Sequence, residues 1–243
     1  MSWLSILLFS LVQGIAEFLP ISSSGHLHLL GYILDIEPSL TFDIFLHLST
    51  LLPLLYYFRN QLKSFFSNLK YILVASLPAA FVGIVFDDQI ELIFGQPKFL
   101  PYFFALTGIL LLYTKTLKVS DAPLTFFKAF IIGLFQAVAI LPGVSRSTAT
   151  IFAGMLLGLS PAMAFSFSFF LFIPATLGSL LLASKDFTAG NFFSPVYLIA
   201  FMLVFIFSSL SLRWFEKLAI NRRLHYFGFY LLGLSLVLKL LVF

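Results

Sequence analysis

The chain reads as an all-α polytopic membrane protein made of two inverted repeats, each a re-entrant helix–loop–helix hairpin followed by three transmembrane helices. Three observations lead to this class. Hydrophobic residues fill 60% of the 243 positions and charged residues only 10%, whereas a soluble domain is nearer half apolar and a quarter charged. Several apolar runs are long enough to cross a bilayer. Two more apolar stretches, at related positions in the two halves, are each interrupted midway by a short polar loop.

Residues 4–34 form the first interrupted stretch, broken by Leu19-Pro20-Ile21-Ser22-Ser23-Ser24-Gly25. Each half is shorter than the roughly 17–25 residues that a crossing needs, so this segment is expected to enter and leave on one face. Irregular backbone at membrane depth is tolerated only where protein or a wet cavity covers it. Spans are then expected over 40–58, 68–86 and 100–114. The second interrupted stretch, 124–158, is broken by Leu141-Pro142-Gly143-Val144-Ser145-Arg146-Ser147, and spans follow over 161–183, 195–212 and 224–243.

The halves correspond. Gln13, Ala16 and Pro20 precede the first break, and Gln136, Ala139 and Pro142 precede the second. A Phe-rich span follows each, from Phe42 and from Phe165. The offset is roughly 122 residues, as in membrane folds with internal repeats. One hairpin plus three crossings reverses the side on which the next half starts. The repeats, 1–117 and 124–243 of a single membrane domain, are therefore expected to be inverted, with their broken loops meeting near the midplane.

Charge sets the orientation. The gaps 59–70, 115–128 and 213–223 are net basic, while 35–41 and 87–98 are net acidic and 184–194 is balanced. Lys and Arg mark cytoplasmic loops, so the first three gaps are expected in the cytoplasm and both termini outside it. The net charge of +4 is thus a topology signal, and no nucleic-acid partner is expected. The first Lys or Arg is Arg59, so no cleavable signal peptide is expected. Without cysteine there are no disulfides, thiolate metal sites or thiol nucleophiles.

Outside those loops four charges remain. Asp43 and Lys239 lie near span ends, where a side chain reaches the interface. Glu17 and Arg146 belong to the hairpins, and an ionisable group at that depth is a functional candidate by default. Both stand beside loops rich in anion ligands: Ser22, Ser23, Ser24 and Gly25 in one, Gly143, Ser145, Ser147 and Thr148 in the other. Each loop leads into a short helix whose N-terminal N–H groups face an anion, and the hydroxyls add donors. Arg146 adds a planar fork that fits phosphate. A structural ion pair tying the hairpins together is the plainer alternative. Gln13 and Glu17, four apart, share a helix face. His26 follows the first loop, so a carboxylate, hydroxyls and an imidazole stand close together, a set suited to acid–base work. His28 reads as structural, and His47 and His225 show no partner in the sequence. Gly154 and Gly158 form a small-xxx-small pattern that packs helices.

At these residues the chain resembles the undecaprenyl-diphosphate phosphatases, also called bacitracin-resistance proteins. Gln13 to His26 is similar to the family's first motif, (E/Q)xxxE followed by a Ser-rich loop and His. Pro142 to Thr150 is similar to its second, PGxSRSxxT. Gln13 stands where many members carry a carboxylate, which leaves metal binding to Glu17. The resemblance implies a multi-pass protein of the bacterial cell membrane, hydrolysis of undecaprenyl diphosphate to the monophosphate and inorganic phosphate, recycling of the cell-wall carrier lipid, and bacitracin resistance. A divalent cation, Mg²⁺ or Ca²⁺, would be held by Glu17 and the phosphates. The expected partners are the polyprenyl diphosphate lipid and membrane lipids, with room for a homodimer. Two catalytic schemes stay open: Ser23 attacks and His26 takes its proton, or water or His26 itself attacks. Ser22 and Ser24 are alternative nucleophiles. Architecture alone also fits a secondary transporter or lipid flippase with a midplane anion site.

Overall fold

A computed structural model describes residues 1–94, 96–118, 120–183 and 194–242, and among these every regular element is helical. The expected hairpins are two pairs of short helices. The first pair is α1 (Trp3–Ala16) and α2 (Ser23–Leu34). Next come α3 (Leu40–Phe58), α4 (Leu62–Ser67), α5 (Leu69–Val85), α6 (Asp87–Phe94) and α7 (Leu100–Tyr113). The second pair is α8 (Phe126–Val138) and α9 (Arg146–Leu156), followed by α10 (Pro161–Ala183), α11 (Pro195–Ile220) and α12 (His225–Leu241).

Helix starts follow capping chemistry. Ser2, Ser22, Ser39, Thr125 and Ser145 each accept a backbone N–H with the side-chain oxygen, at the N-termini of α1, α2, α3, α8 and α9. The hairpin helices have 11 to 14 residues, about 16–21 Å of rise, well short of a hydrocarbon core about 30 Å thick. Three segments, Thr41–Ser67, Pro161–Gly178 and Pro195–Ile220, are long and apolar enough to cross a membrane. The other expected spans are apolar helices of 17, 14 and 17 residues, α5, α7 and α12. α11 runs eight residues beyond the expected end at 212. Its charged last turns continue the helix because Glu216 accepts the Tyr57 hydroxyl from α3. The expected 184–194 loop lies outside the described residues except for Ser194.

The outside is apolar. Leu240, Phe127, Leu92 and Leu181 are among many large apolar side chains left more than one-third exposed, an arrangement stable in lipid and not in water. The core between α3, α10, α11 and the first break is aromatic. Phe18 meets Phe169 and Phe172 edge-on at 5.6 and 5.8 Å, and the Phe165 ring lies tilted against Phe169 at 4.7 Å.

The helix pairing has a reciprocal form. α1 packs along α11 and α8 along α5; α3 packs on α11 and α10 on α5; α7 pairs with α12 and α3 with α10. Close approach is built in at glycines. A Cβ on Gly133 would lie 2.4 Å from the Ala75 carbonyl oxygen of α5, so only glycine fits there. Gly154 faces Ala164, packing α9 on α10, whereas Gly158 lies past the end of α9 at φ +84° and faces Ser120 and Ala122. At one end of the bundle Tyr57 bonds Glu216, and Arg222 donates to the carbonyls of Lys115 and Leu117. The three basic segments therefore share an end. At the other end Lys239 lies over the Tyr102 ring.

Candidate active site

The two breaks meet. Thr148 Oγ1 donates to the Pro20 carbonyl at 3.1 Å, joining the second loop to the first. Thr107 of α7 braces the second loop, donating to the Gly143 carbonyl at 2.9 Å and accepting Ser145 N–H at 3.1 Å. A Cβ on Gly25 would stand 2.8 Å from Gly143 Cα and 2.7 Å from the buried Phe104 ring, so the loops approach at glycine. Gly143 also has φ +94°, a backbone region side chains rarely enter. Ser22 holds φ 68° while capping α2, a conformation that costs on the order of 1–3 kcal/mol without glycine and persists where its surroundings enforce it.

Where the loops meet there is a cavity of about 290 Å³, lined by Glu17, Ser22, Ser23, Ser24, Ser145, Arg146 and Ser147, with His47 of α3 and Phe172 and Thr176 of α10. The N-termini of α2 and α9 both open onto it. Two sets of unpaired helix N–H groups, five serine hydroxyls and one guanidinium thus converge on one space, a strong anion site.

Glu17 is held from two sides through one oxygen: its Oε2 accepts Gln13 Nε2–H at 2.9 Å and the Ser23 hydroxyl at 2.5 Å. Arg146 is held from behind. Its guanidinium lies 4.3 Å over the Phe172 ring, and Nη1 donates to the Ser168 carbonyl at 3.1 Å. Among the described residues no ion pair joins Glu17 to Arg146, so the plainer reading of a structural salt bridge lacks its contact. Both line the cavity between the loops.

Other expected site residues have supporting places. Gln13 positions Glu17; Gly25, Gly143 and Thr148 knit the loops; Ser22 and Ser24 pair at 3.2 Å, as do Ser145 and Ser147. Among the described residues no hydrogen bond joins His26 to Ser23. Its Nδ1–H donates to the Ser22 carbonyl at 2.8 Å, and Nε2 accepts the Tyr230 hydroxyl of α12 at 2.8 Å. The imidazole that does line the cavity is His47, whose Nδ1–H donates to the Asp43 carbonyl at 2.9 Å and so leaves Nε2 as an acceptor. Its only sequence signal is its place in the Phe-rich span after the first break.

For a divalent cation the donor chemistry fits in part. Glu17 Oε1 makes no hydrogen bond, and the neighbouring ligands are hard hydroxyl oxygens. Among the described residues no three His, Cys, Asp or Glu side chains cluster. Substrate phosphates and water would have to complete the shell, as Mg²⁺ sites commonly allow.

An apolar helical bundle with broken helices whose N-termini enclose a phosphate-sized, arginine-bearing pocket defines a membrane protein acting on an anionic headgroup. The chain belongs to the family of bacitracin resistance protein BacA, which it matches over residues 6–237. It is 34% identical to the undecaprenyl-diphosphatase of Methanobrevibacter smithii over 260 residues, covering 95% of this chain and 94% of that protein. It is 36% identical to undecaprenyl-diphosphatase 2 of Bacillus thuringiensis, with 93% of each chain covered. The undecaprenyl-diphosphatase of Thermosipho africanus is 33% identical, over 95% of this chain and 97% of that one.

Proposed function

We propose that the chain is an integral membrane phosphatase that hydrolyses undecaprenyl diphosphate to undecaprenyl phosphate and inorganic phosphate, so recycling the cell-wall carrier lipid and conferring resistance to bacitracin. One observation carries this reading: Ser23 Oγ stands 2.5 Å from Glu17 in a cavity that Arg146 also lines. The family and its undecaprenyl-diphosphatase relatives supply the substrate. The polyprenyl tail stays in lipid while the headgroup enters between the loops.

Ser23 Oγ attacks the terminal phosphorus, and its proton passes to Glu17 Oε2. The bond from that phosphorus to the bridging oxygen breaks, and undecaprenyl phosphate leaves. Water then cleaves the phosphoseryl ester and restores Ser23 and Glu17, releasing inorganic phosphate. Glu17 takes the part expected of His26 because the Ser23 hydroxyl already points at it. His26 instead locks α2 to α12 through Tyr230. Arg146 and the N–H groups of α2 and α9 carry the charge on the transferring phosphoryl group. A cation on Glu17 Oε1 would add neutralisation of the diphosphate.

The fold is read as two inverted repeats, 1–117 and 124–243, in one membrane domain. The reciprocal pairing supports this: exchanging α1 with α8, α3 with α10, α5 with α11 and α7 with α12 returns the six pairings described above. The shared basic end is assigned to the cytoplasm and both termini to the outside. His47 lies seven residues into α3, about 10 Å from the end of the bundle at which that helix starts. With that orientation, this depth supports a pocket in the outer half of the membrane.

Purified protein in detergent, with no second compartment, should release phosphate from undecaprenyl diphosphate. Binding of the lipid without phosphate release would instead favour a transporter or flippase.

A further inference from the structure

A second cavity lies away from the catalytic pocket, at the shared basic end. It measures about 170 Å³ and is lined by Pro53, Tyr56, Tyr57 and Arg59 from α3 and the turn after it, and by Ser209 and Arg213 from α11. Both arginines are exposed. The spacing is regular: Ser209 and Arg213 are one turn apart on α11, as are Pro53 and Tyr57 on α3, so facing stripes of two packed helices build the walls. We propose that this cavity binds the phosphate of a membrane lipid.

Positive ends of membrane helices are ordinary topology signals, but that accounts for charge and not for a shaped cavity. Here the arginines are arranged differently from one another. Arg59 is fixed, with its guanidinium 4.1 Å over the Tyr56 ring and Nη1 donating to the Tyr56 carbonyl at 2.7 Å. Arg213 makes no hydrogen bond or ion pair with a described residue, so its whole fork is open. The nearby carboxylate, Glu216, is engaged by the Tyr57 hydroxyl. The two lining arginines and Glu216 together carry one net positive charge, which suits a phosphodiester.

Size and setting agree. The cavity is smaller than the roughly 300–1,000 Å³ of pockets for whole small molecules, and suits one headgroup fragment. Toward mid-membrane on the same helices Leu52, Leu55, Ile206 and Leu210 are 50, 38, 47 and 56% exposed. They form an apolar track on which acyl or prenyl chains can lie. The cavity is independent of the hydrolysis proposed above, because none of its residues lines the other pocket.

Native mass spectrometry of the full chain in detergent, titrated with dioleoyl phosphatidylglycerol, dioleoyl phosphatidylcholine or a polyprenyl monophosphate, reads the site. Phosphatidylglycerol should bind at least several-fold more tightly than phosphatidylcholine, whose phosphate is masked by choline. Arg59→Gln with Arg213→Gln should abolish that preference while leaving phosphate release intact, which also shows that the variant is folded. If polyprenyl monophosphate shares the site, its stoichiometry should drop by one in the same variant. Loss of a site for either lipid supports the proposal and says which supplies the phosphate. An unchanged preference and stoichiometry overturns it. Arg59→Lys with Arg213→Lys keeps the charge and loses the forks; full retention of the preference there reduces the effect to surface attraction and also overturns a built site.

Discussion

Replacing Arg146 with Lys separates a catalytic fork from a buried counter-charge. In the native chain Arg146 spends one N–H on Ser168 and lays its plane 4.3 Å from the Phe172 ring centroid. Of its five donors, those left are available to two oxygens of one phosphoryl group. Lys keeps the charge but gathers its donors on one nitrogen, which cannot hold the Ser168 carbonyl and two phosphoryl oxygens in that geometry. Losing one preorganised donor to a developing oxyanion costs about 2.7–4 kcal/mol, or about 10²–10³ in kcat. The loss in folding is smaller. Weakening the ring contact and one hydrogen bond removes about 1–3 kcal/mol. The expected outcome for Arg146→Lys is therefore a folded protein, with thermal unfolding in detergent slightly lowered and kcat for phosphate release reduced by about two to three orders of magnitude. KM should change little, because the lost interaction belongs to the transition state. A kcat within about threefold of the parent, with only stability lowered, would refute the reasoning and leave Arg146 a structural cation.

Three more outcomes follow from the geometry. Gly25→Ala places a methyl 2.7 Å from Phe104 and 2.8 Å from Gly143 Cα; this overpacking should cost about 1–3 kcal/mol, seen as a lower unfolding temperature together with weakened hydrolysis as the loops part. Reporter fusions within 59–70, 115–128 and 213–223 should all behave as cytoplasmic, and an external signal from the first would undo the orientation. A membrane-impermeant phosphate analogue should inhibit vesicle-embedded enzyme from the outer face; inhibition only from the cytoplasmic face would reverse the pocket's assignment.

Much of this was legible in the sequence because lipid imposes coarse rules. An apolar run too short to cross, with Ser, Gly and Pro in its middle, has few ways to satisfy its backbone; the breaks expected at 19–25 and 141–147 correspond to the interruptions between α1 and α2 and between α8 and α9. Glu17, Arg146 and the serines stood out because charge and hydroxyl clusters are rare at that depth. Helix rotation about its axis was not legible. His26 lies three residues from Ser23, but tertiary packing turns it onto Tyr230, more than two hundred positions away in sequence. His47 reaches the pocket because α3 packs on α10 and α11 in one particular phase, which no local pattern encodes. The end of α11 was misplaced for a related reason: Arg213, Glu216 and Lys217 read as a loop, whereas Glu216 is bonded to Tyr57 and the helix runs on to Ile220.

The central claim is that Ser23, activated by Glu17, is the atom that takes the phosphoryl group. Acid-quenched single-turnover hydrolysis of undecaprenyl diphosphate labelled at the terminal phosphorus tests it most directly. The account predicts transient label on the peptide containing Ser23, none on that peptide in Ser23→Ala, and near-complete loss of phosphate release in that variant. Label passing straight to inorganic phosphate, with Ser23→Ala still active and His26→Ala dead, would contradict it and move the chemistry to His26.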